Sequence, residues 1–124
     1  MFTGKAEAAM NFYMSIFKNS EIRSVTRYDE KGPGKAGSIK LATFALNGRE
    51  LMCVDSPVQH AFGFTPAISL FVTCDTEAEI DTLFAKLSEG GQVLMPLSNY
   101  PFSKKFAWIN DQFGVSWQLD LLAS

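Results

Sequence analysis

Few groups in this chain can do chemistry, and their spacing narrows the choice further. His60 is the single histidine among 124 residues. One imidazole leaves no room for a Ser/His/Asp or Cys/His relay with alternatives, and His60 sits beside Phe62 and Phe64 in a loop-like stretch. Cys53 and Cys74 lie in apolar, strand-like surroundings with no basic neighbour to depress a thiol pKa, so both read as buried and reduced. Glu50, Asp55, Asp111 and Asp120 are the carboxylates to weigh as acid or base. Asp111 has a structural task, opening the turn ahead of Phe113-Gly114. Glu50 shares a strand face with Met52 and reads either as inward-pointing or as an exposed hairpin carboxylate.

Glycine is no more suggestive. Gly32-Pro33-Gly34 falls in a charged loop and Gly90-Gly91 at a helix end. Neither stands between a strand and a helix, where a phosphate or dinucleotide cradle must be.

The length suits one domain, residues 1–124, with a real core. The hydrophobic fraction is 47%, with eleven Phe, so the chain is far from the disordered regime. Net charge is −2 and only Lys104-Lys105 pairs two cations, which argues against nucleic acid as a partner. Apolar residues come in bursts much shorter than the ~18 a membrane span needs, and no signal-type core follows the N-terminus. Two cysteines do not make a secreted disulfide framework, so a cytoplasmic location is expected.

The elements that must position these groups follow from periodicity. Ala6, Ala9, Met10, Tyr13, Ile16 and Phe17 recur at helical spacing, with Thr3 or Gly4 as N-cap. Strands are expected at 21–28, 38–46 and 49–55, the last two joined by Asn47-Gly48 in a type I′ turn. A loop over 56–66 links module one, 1–55, to module two, 67–124. There a strand at 67–73 precedes a helix whose Thr76-Glu77-Ala78-Glu79 start has capping-box form. Ile80, Leu83, Phe84 and Leu87 form its apolar face. Strands at 92–97, 106–110 and 115–121 complete the half, with a loop of Ser, Asn, Tyr, Pro and Lys between the first two.

Aligning the two helices sets Ala9 on Ile80, Phe12 on Leu83, Tyr13 on Phe84 and Ile16 on Leu87. Strand 51–54 then falls opposite 117–120. Each half reads as strand, helix and three strands, except that only Met1-Phe2, opposite Val72-Thr73, remain of the first half's opening strand. Either the natural domain starts earlier or that strand is truncated, and the neighbouring edge would suit pairing with a second chain.

This repeated βαβββ pattern resembles the vicinal oxygen chelate superfamily, the glyoxalase, bleomycin-resistance and extradiol dioxygenase proteins. The closest resemblance is to its PhnB-like members, often labelled demethylubiquinone methyltransferase domains. It is carried by Ala6-Glu7-Ala8-Ala9-Met10-Asn11-Phe12-Tyr13, Ser69-Leu70-Phe71-Val72-Thr73-Cys74-Asp75, Leu87-Ser88-Glu89-Gly90-Gly91 and Leu94-Met95-Pro96-Leu97. Phe106-Ala107-Trp108-Ile109-Asn110-Asp111, running into Phe113-Gly114-Val115-Ser116-Trp117-Gln118-Leu119, completes it.

The resemblance implies an α+β fold of two βαβββ modules with curved mixed sheets, and many such proteins are homodimers. It also implies positions for metal ligands, which fall here on Gln118, on Met52, near Ile68 and in the missing strand. Of the visible three only Gln118 could ligate a hard cation, and a lone neutral amide is a poor ligand. No metal and no cofactor are therefore expected. The methyltransferase label would usually go with a Rossmann-like domain and a Gly-rich turn, which these residues do not supply.

What these readings leave is a half-open aromatic cavity for a small organic ligand, with Phe44, Met52, Tyr100, Phe106, Trp108 and Gln118 around it. The same six residues would also serve a plain core. Phe102 and His60, in loops, could act as lids or dimer contacts. The alternatives are a metal-dependent lyase, isomerase or dioxygenase that uses Gln118 with a ligand from the missing strand or a partner chain, or the methyl transfer that the family label implies.

Overall fold

A buried acid organises each half of the chain. The computed structural model describes residues 1–122, and the chain divides into two compact units, Met1–Ala61 and Phe62–Ser124. No helix among the described residues is long and apolar enough to cross a membrane.

In the first unit, helix α1 (Ala6–Ile16) is followed by strands β1 (Glu21–Arg27), β2 (Ile39–Leu46) and β3 (Arg49–Cys53). The strands form an antiparallel sheet in the order β1-β2-β3. Asn47 and Gly48 both take positive φ, as the hairpin between β2 and β3 requires. Helix α1 buries Ala6, Ala9, Met10 and Tyr13 and packs on β2.

Its cap is not local, contrary to the expectation for Thr3 or Gly4. Lys5 occupies the N-cap without a side-chain bond. The buried Asp55 does the work instead: Oδ1 accepts the amides of Gly4 at 2.8 Å and Ala6 at 3.0 Å. Its Oδ2 accepts the Ile39 amide at 3.0 Å. A charged acceptor beside a helix N-terminus satisfies orphan donors and complements the helix dipole.

Phe2 makes a parallel bridge to Asp55, donating to the Val54 carbonyl at 2.8 Å and accepting from the Ser56 amide at 2.7 Å. In the second unit the equivalent parallel pair is Cys74 with Leu121, where the Leu122 amide donates to the Cys74 carbonyl at 3.0 Å. Phe2 thus takes the place of Cys74, one residue later than the expected match to Thr73. The connection into α1 is one residue longer than the connection into the second helix, so alignment by helix faces slips the opening strand by one and leaves the last strands in register.

The second unit runs β4 (Leu70–Cys74), α2 (Glu77–Ser88), β5 (Gln92–Tyr100), β6 (Ser103–Asn110) and β7 (Ser116–Leu121). Its mixed sheet has the order β4-β7-β6-β5, with β4 parallel to β7 and the other pairs antiparallel. Two expectations fail here. Strand β4 begins at Leu70 rather than Ala67, because the Ala67 amide turns back to Thr65 Oγ1 at 3.3 Å. The expected loop after β5 is a tight hairpin: β5 runs on to Tyr100, β6 starts at Ser103, and only Pro101-Phe102 turn.

Helix α2 starts as expected, with Thr76 Oγ1 accepting the Glu79 amide at 3.1 Å. The return bond reaches one residue further, from the Asp75 amide to Glu79 Oε1 at 3.2 Å. Its face of Ile80, Leu83 and Leu87 is buried, as are Ala107, Ile109, Trp117, Leu119 and Leu121 of the sheet. Strand alternation sends Phe106, Trp108, Gln118 and Asp120 to the opposite face.

Candidate functional site

That opposite face of the second sheet carries an open cavity of about 380 Å³. Phe71 of β4, Met95 of β5, Phe106 and Trp108 of β6, and Gln118 and Asp120 of β7 line it, with Phe102 from the hairpin turn. Sheet register explains the grouping. Gln118 lies between Trp108 on β6 and Phe71 on β7's other neighbour, β4, and Asp120 is paired with Phe106.

The aromatic side chains hold one another in place. Phe102 meets Phe106 edge to face at 5.0 Å between centroids, and Tyr100 stacks on Phe102 at 5.5 Å. Tyr100 also meets Phe106 edge to face at 6.0 Å, and its hydroxyl donates to the Pro96 carbonyl at 2.7 Å. Such pairs add roughly 0.5–1.5 kcal/mol each, which favours this arrangement of the three rings even though Phe102 is largely exposed. Trp108 is fixed differently: its indole N–H donates to Ser116 Oγ at 2.9 Å, and Ser116 Oγ lies 2.8 Å from Ser69 Oγ.

Two polar groups interrupt this surface. The half-buried Gln118 carboxamide has no side-chain hydrogen bond among the described residues and can offer both a donor and an acceptor. Asp120 accepts from Ser103 Oγ and also borders a second depression with Asn99, Tyr100, Phe102 and Lys104. Among the described residues no lysine or arginine lies within ion-pairing distance of Asp120. Lys105 is committed elsewhere, 2.6 Å from Asp81, whose hydrogen bond raises the lysine pKa.

The structure brings together Phe106, Trp108 and Gln118 in one cavity and places Tyr100 against it. Phe44 and Met52 belong to the first unit and do not share a face. Met52 pairs with Thr43, the neighbour of Phe44, so the two side chains point to opposite sides of the sheet. Phe44 is 4% exposed and Met52 63%. Phe71 and Met95 are cavity residues that the sequence did not single out, while Phe102 was expected only as a lid or dimer contact and Asp120 only as one of four carboxylates to weigh. Phe71 was findable only with the parallel register of β4 on β7 in hand, and Phe102 only once its loop proved to be a hairpin.

The remaining candidates are structural. Asp111, buried, accepts the Phe113 amide at 2.8 Å, the Val115 amide at 3.1 Å and the Trp117 indole N–H at 2.8 Å. Glu50 is exposed and pairs with Arg23 at 2.6 Å, which raises the pKa of the guanidinium. His60 Nε2 lies 2.7 Å from Ser56 Oγ. Both thiols are free and buried, and burial pushes their pKa values up.

A divalent cation needs several oxygen or nitrogen donors converging at ~2.0–2.3 Å. Gln118 has Phe71 and Trp108 as its cross-strand partners, and the nearest carboxylate on its strand, Asp120, is engaged by Ser103. Ile68 lies in the turn before β4 and is 81% exposed. Among the described residues no three His, Cys, Asp or Glu side chains converge. The donor set does not fit a hard cation.

Comparison with known proteins follows the same outline. The profile of the family described as 3-demethylubiquinone-9 3-methyltransferase matches residues 1–120. A PhnB protein from Bacillus cereus, provisionally described as a 3-demethylubiquinone-9 3-methyltransferase, is 66% identical, with TM-score 0.96 over 98% of this chain and 95% of its own. A Pseudomonas aeruginosa protein is 27% identical, with TM-score 0.85 over 97% and 91%. A glyoxalase/bleomycin resistance protein from Albidiferax ferrireducens shares the fold at 13% identity, with TM-score 0.62 over 99% and 94%. Among curated protein sequences, none matches.

Proposed function

The chain belongs to the 3-demethylubiquinone-9 3-methyltransferase family, PhnB-like proteins of the vicinal oxygen chelate superfamily, and from that premise we propose that it binds a small organic molecule. The ligand sits on the open face of the second sheet. The observation that carries this reading is a Gln118 amide, with no hydrogen bond among the described residues, set between Phe71 and Trp108 in an aromatic wall. A half-buried amide with no partner among the described residues leaves its donor and acceptor for a ligand that displaces water, and the apolar walls supply the hydrophobic contact.

A thermal-shift screen against a library of small organic compounds tests it. A ligand at ~100 times its Kd adds ~2.7 kcal/mol of stability, which is readily seen as a rise in Tm. Trp108→Ala should abolish the response. Absence of any responding compound class would remove the support for a binder.

Methyl transfer, the activity in the family's description, has thinner support. The β4-to-α2 connection is Asp75-Thr76, with no glycine to cradle a nucleoside cofactor. A metal-dependent lyase or dioxygenase finds one amide and one carboxylate, Asp120, already engaged by Ser103, where it needs several free donors.

The protein acts as a homodimer in the cytoplasm in this reading. Exposed Leu41 and Met52 on one face of the first sheet, and the outer edge of β3, which pairs with no other strand among the described residues, favour a second copy as partner. Light scattering at tens of micromolar should report twice the chain mass. Free buried thiols suit a reducing compartment, which fractionation of producing cells would check.

A further inference from the structure

We propose that the ligand of this cavity is an organic cation, an amine or quaternary ammonium carried on an apolar body. The inference rests on the reading of this face as a binding site and goes beyond it by naming the charge of the occupant.

Asp120 is the reason. Its carboxylate lines the cavity, half-buried, with Ser103 Oγ as a neutral donor and no cation within ion-pairing distance among the described residues. A carboxylate drawn out of bulk water attracts a cation more strongly than the same group on an open surface. The adjoining walls select in the same direction. Phe71, Phe102, Phe106 and Trp108 present π-faces or edges around the space above it, and ring faces attract cations electrostatically. An anionic ligand would meet repulsion from both Asp120 and the ring faces. A neutral ligand would satisfy Gln118 and leave Asp120 with Ser103 alone.

The resident competitor is Lys104, exposed, bordering the neighbouring depression that Asp120 also lines. Its ammonium makes no ion pair among the described residues. A long exposed side chain loses rotamer freedom if it folds back onto Asp120, whereas a rigid cation already seated on the rings loses none there. Ligand binding and the Lys104 charge therefore oppose each other.

The test is titration of the full chain with three probes of matched shape: phenethylamine, phenethyl alcohol and 3-phenylpropionate, read by the Trp108 indole N–H signal in ¹H–¹⁵N spectra. The amine is expected to bind at least about tenfold tighter than the alcohol, and the carboxylate weakest. Asp120→Asn should bring the amine's affinity down to that of the alcohol. Lys104→Gln, at an exposed position that leaves folding untouched, should tighten the amine about two- to threefold and not the alcohol. This variant decides the matter even where Asp120→Asn fails to fold. Equal binding of amine and alcohol, or an amine affinity indifferent to Lys104→Gln, overturns the cation and keeps the binder. Silence of the Trp108 signal with all three probes overturns both.

Discussion

Asp55 accepts the amide of Ala6 at 3.0 Å, so an acid just beyond β3 caps a helix begun 49 residues earlier. The same carboxylate takes the amides of Gly4 and Ile39, and the Asp55 main chain bridges to Phe2 and to Ile39. Helix start, sheet and N-terminal segment of the first unit thus meet at one side chain. Asp111 plays a comparable part in the second unit, closing the turn ahead of β7 and holding the Trp117 indole.

Truncating Asp55 should therefore be severe. Asp55→Ala leaves three backbone amides without their acceptor, and hydrogen bonds to a charged group are worth ~1.5–3 kcal/mol each. We expect a loss of about 3–5 kcal/mol, measured as a lower urea midpoint at unchanged m. Asp55→Asn, which keeps one acceptor oxygen, should lose roughly half as much. An unchanged midpoint in Asp55→Ala would mean that the cap does not stabilise the unit.

Gly91 marks a close approach of two backbones rather than a need for unusual dihedrals. A Cβ built there runs into the Asn110 carbonyl oxygen and touches Asp111 main-chain atoms at 3.0 Å. Neither can yield without displacing β6 or the Asp111 turn. Gly91→Ala should cost about 2–3 kcal/mol. Gly63→Ala, where a Cβ meets nothing within 4 Å, should stay within about 0.5 kcal/mol. Denaturation of the two variants side by side checks the contrast.

Cys74 gives the alkaline limb of the stability curve. Burial first, then the charge of Glu79 and its hydrogen bond, then Asp75 and Asp120, push the thiol up to about 12 from its ordinary 9.0. A folded pKa above the unfolded one means that the stabilisation is complete below pH 9.0 and fades as pH rises toward about 12. Urea titrations at pH 8 and pH 10.5 should show falling stability, and Cys74→Ala should flatten that fall. Equal slopes in the two proteins would assign the alkaline loss to other groups.

Gln118 should matter to ligands and not to folding. Gln118→Leu removes an amide that bonds to no other described side chain or backbone group and keeps the volume, so stability should change by less than about 0.5 kcal/mol. Affinity for a compound found in the thermal-shift screen should drop about tenfold, the loss of one or two hydrogen bonds. Elemental analysis of protein purified without added metal is the companion measurement. Stoichiometric zinc, manganese, iron or nickel that vanishes in Gln118→Ala would replace the binder reading with a metal enzyme.

Much of the architecture was legible because it is written in local periodicity. The α2 face, the Thr76 cap and the Asn47-Gly48 turn each depend on residues a few positions apart and stand as read, except that Phe84 of that face is only half-buried beside Ile80, Leu83 and Leu87. The α1 cap was illegible because its acceptor is Asp55, far along the chain. The hairpin at Pro101-Phe102 was illegible because β5 and β6 pair with repeated register shifts, which blur the alternation that marks a strand.

The sequence by itself determined the two-module α+β fold through its periodicity, the superfamily through its resemblance, and the supply of aromatic residues through its composition. Tertiary structure decided which aromatics share one surface. Side chains alternate across a strand, so one residue of register separates Phe44 from Met52, and only the parallel pairing of β4 with β7 brings Phe71 to Gln118. It also decided that Asp55 and Asp111 hold backbone while Asp120 faces a cavity, because a carboxylate's role is set by the donors that reach it.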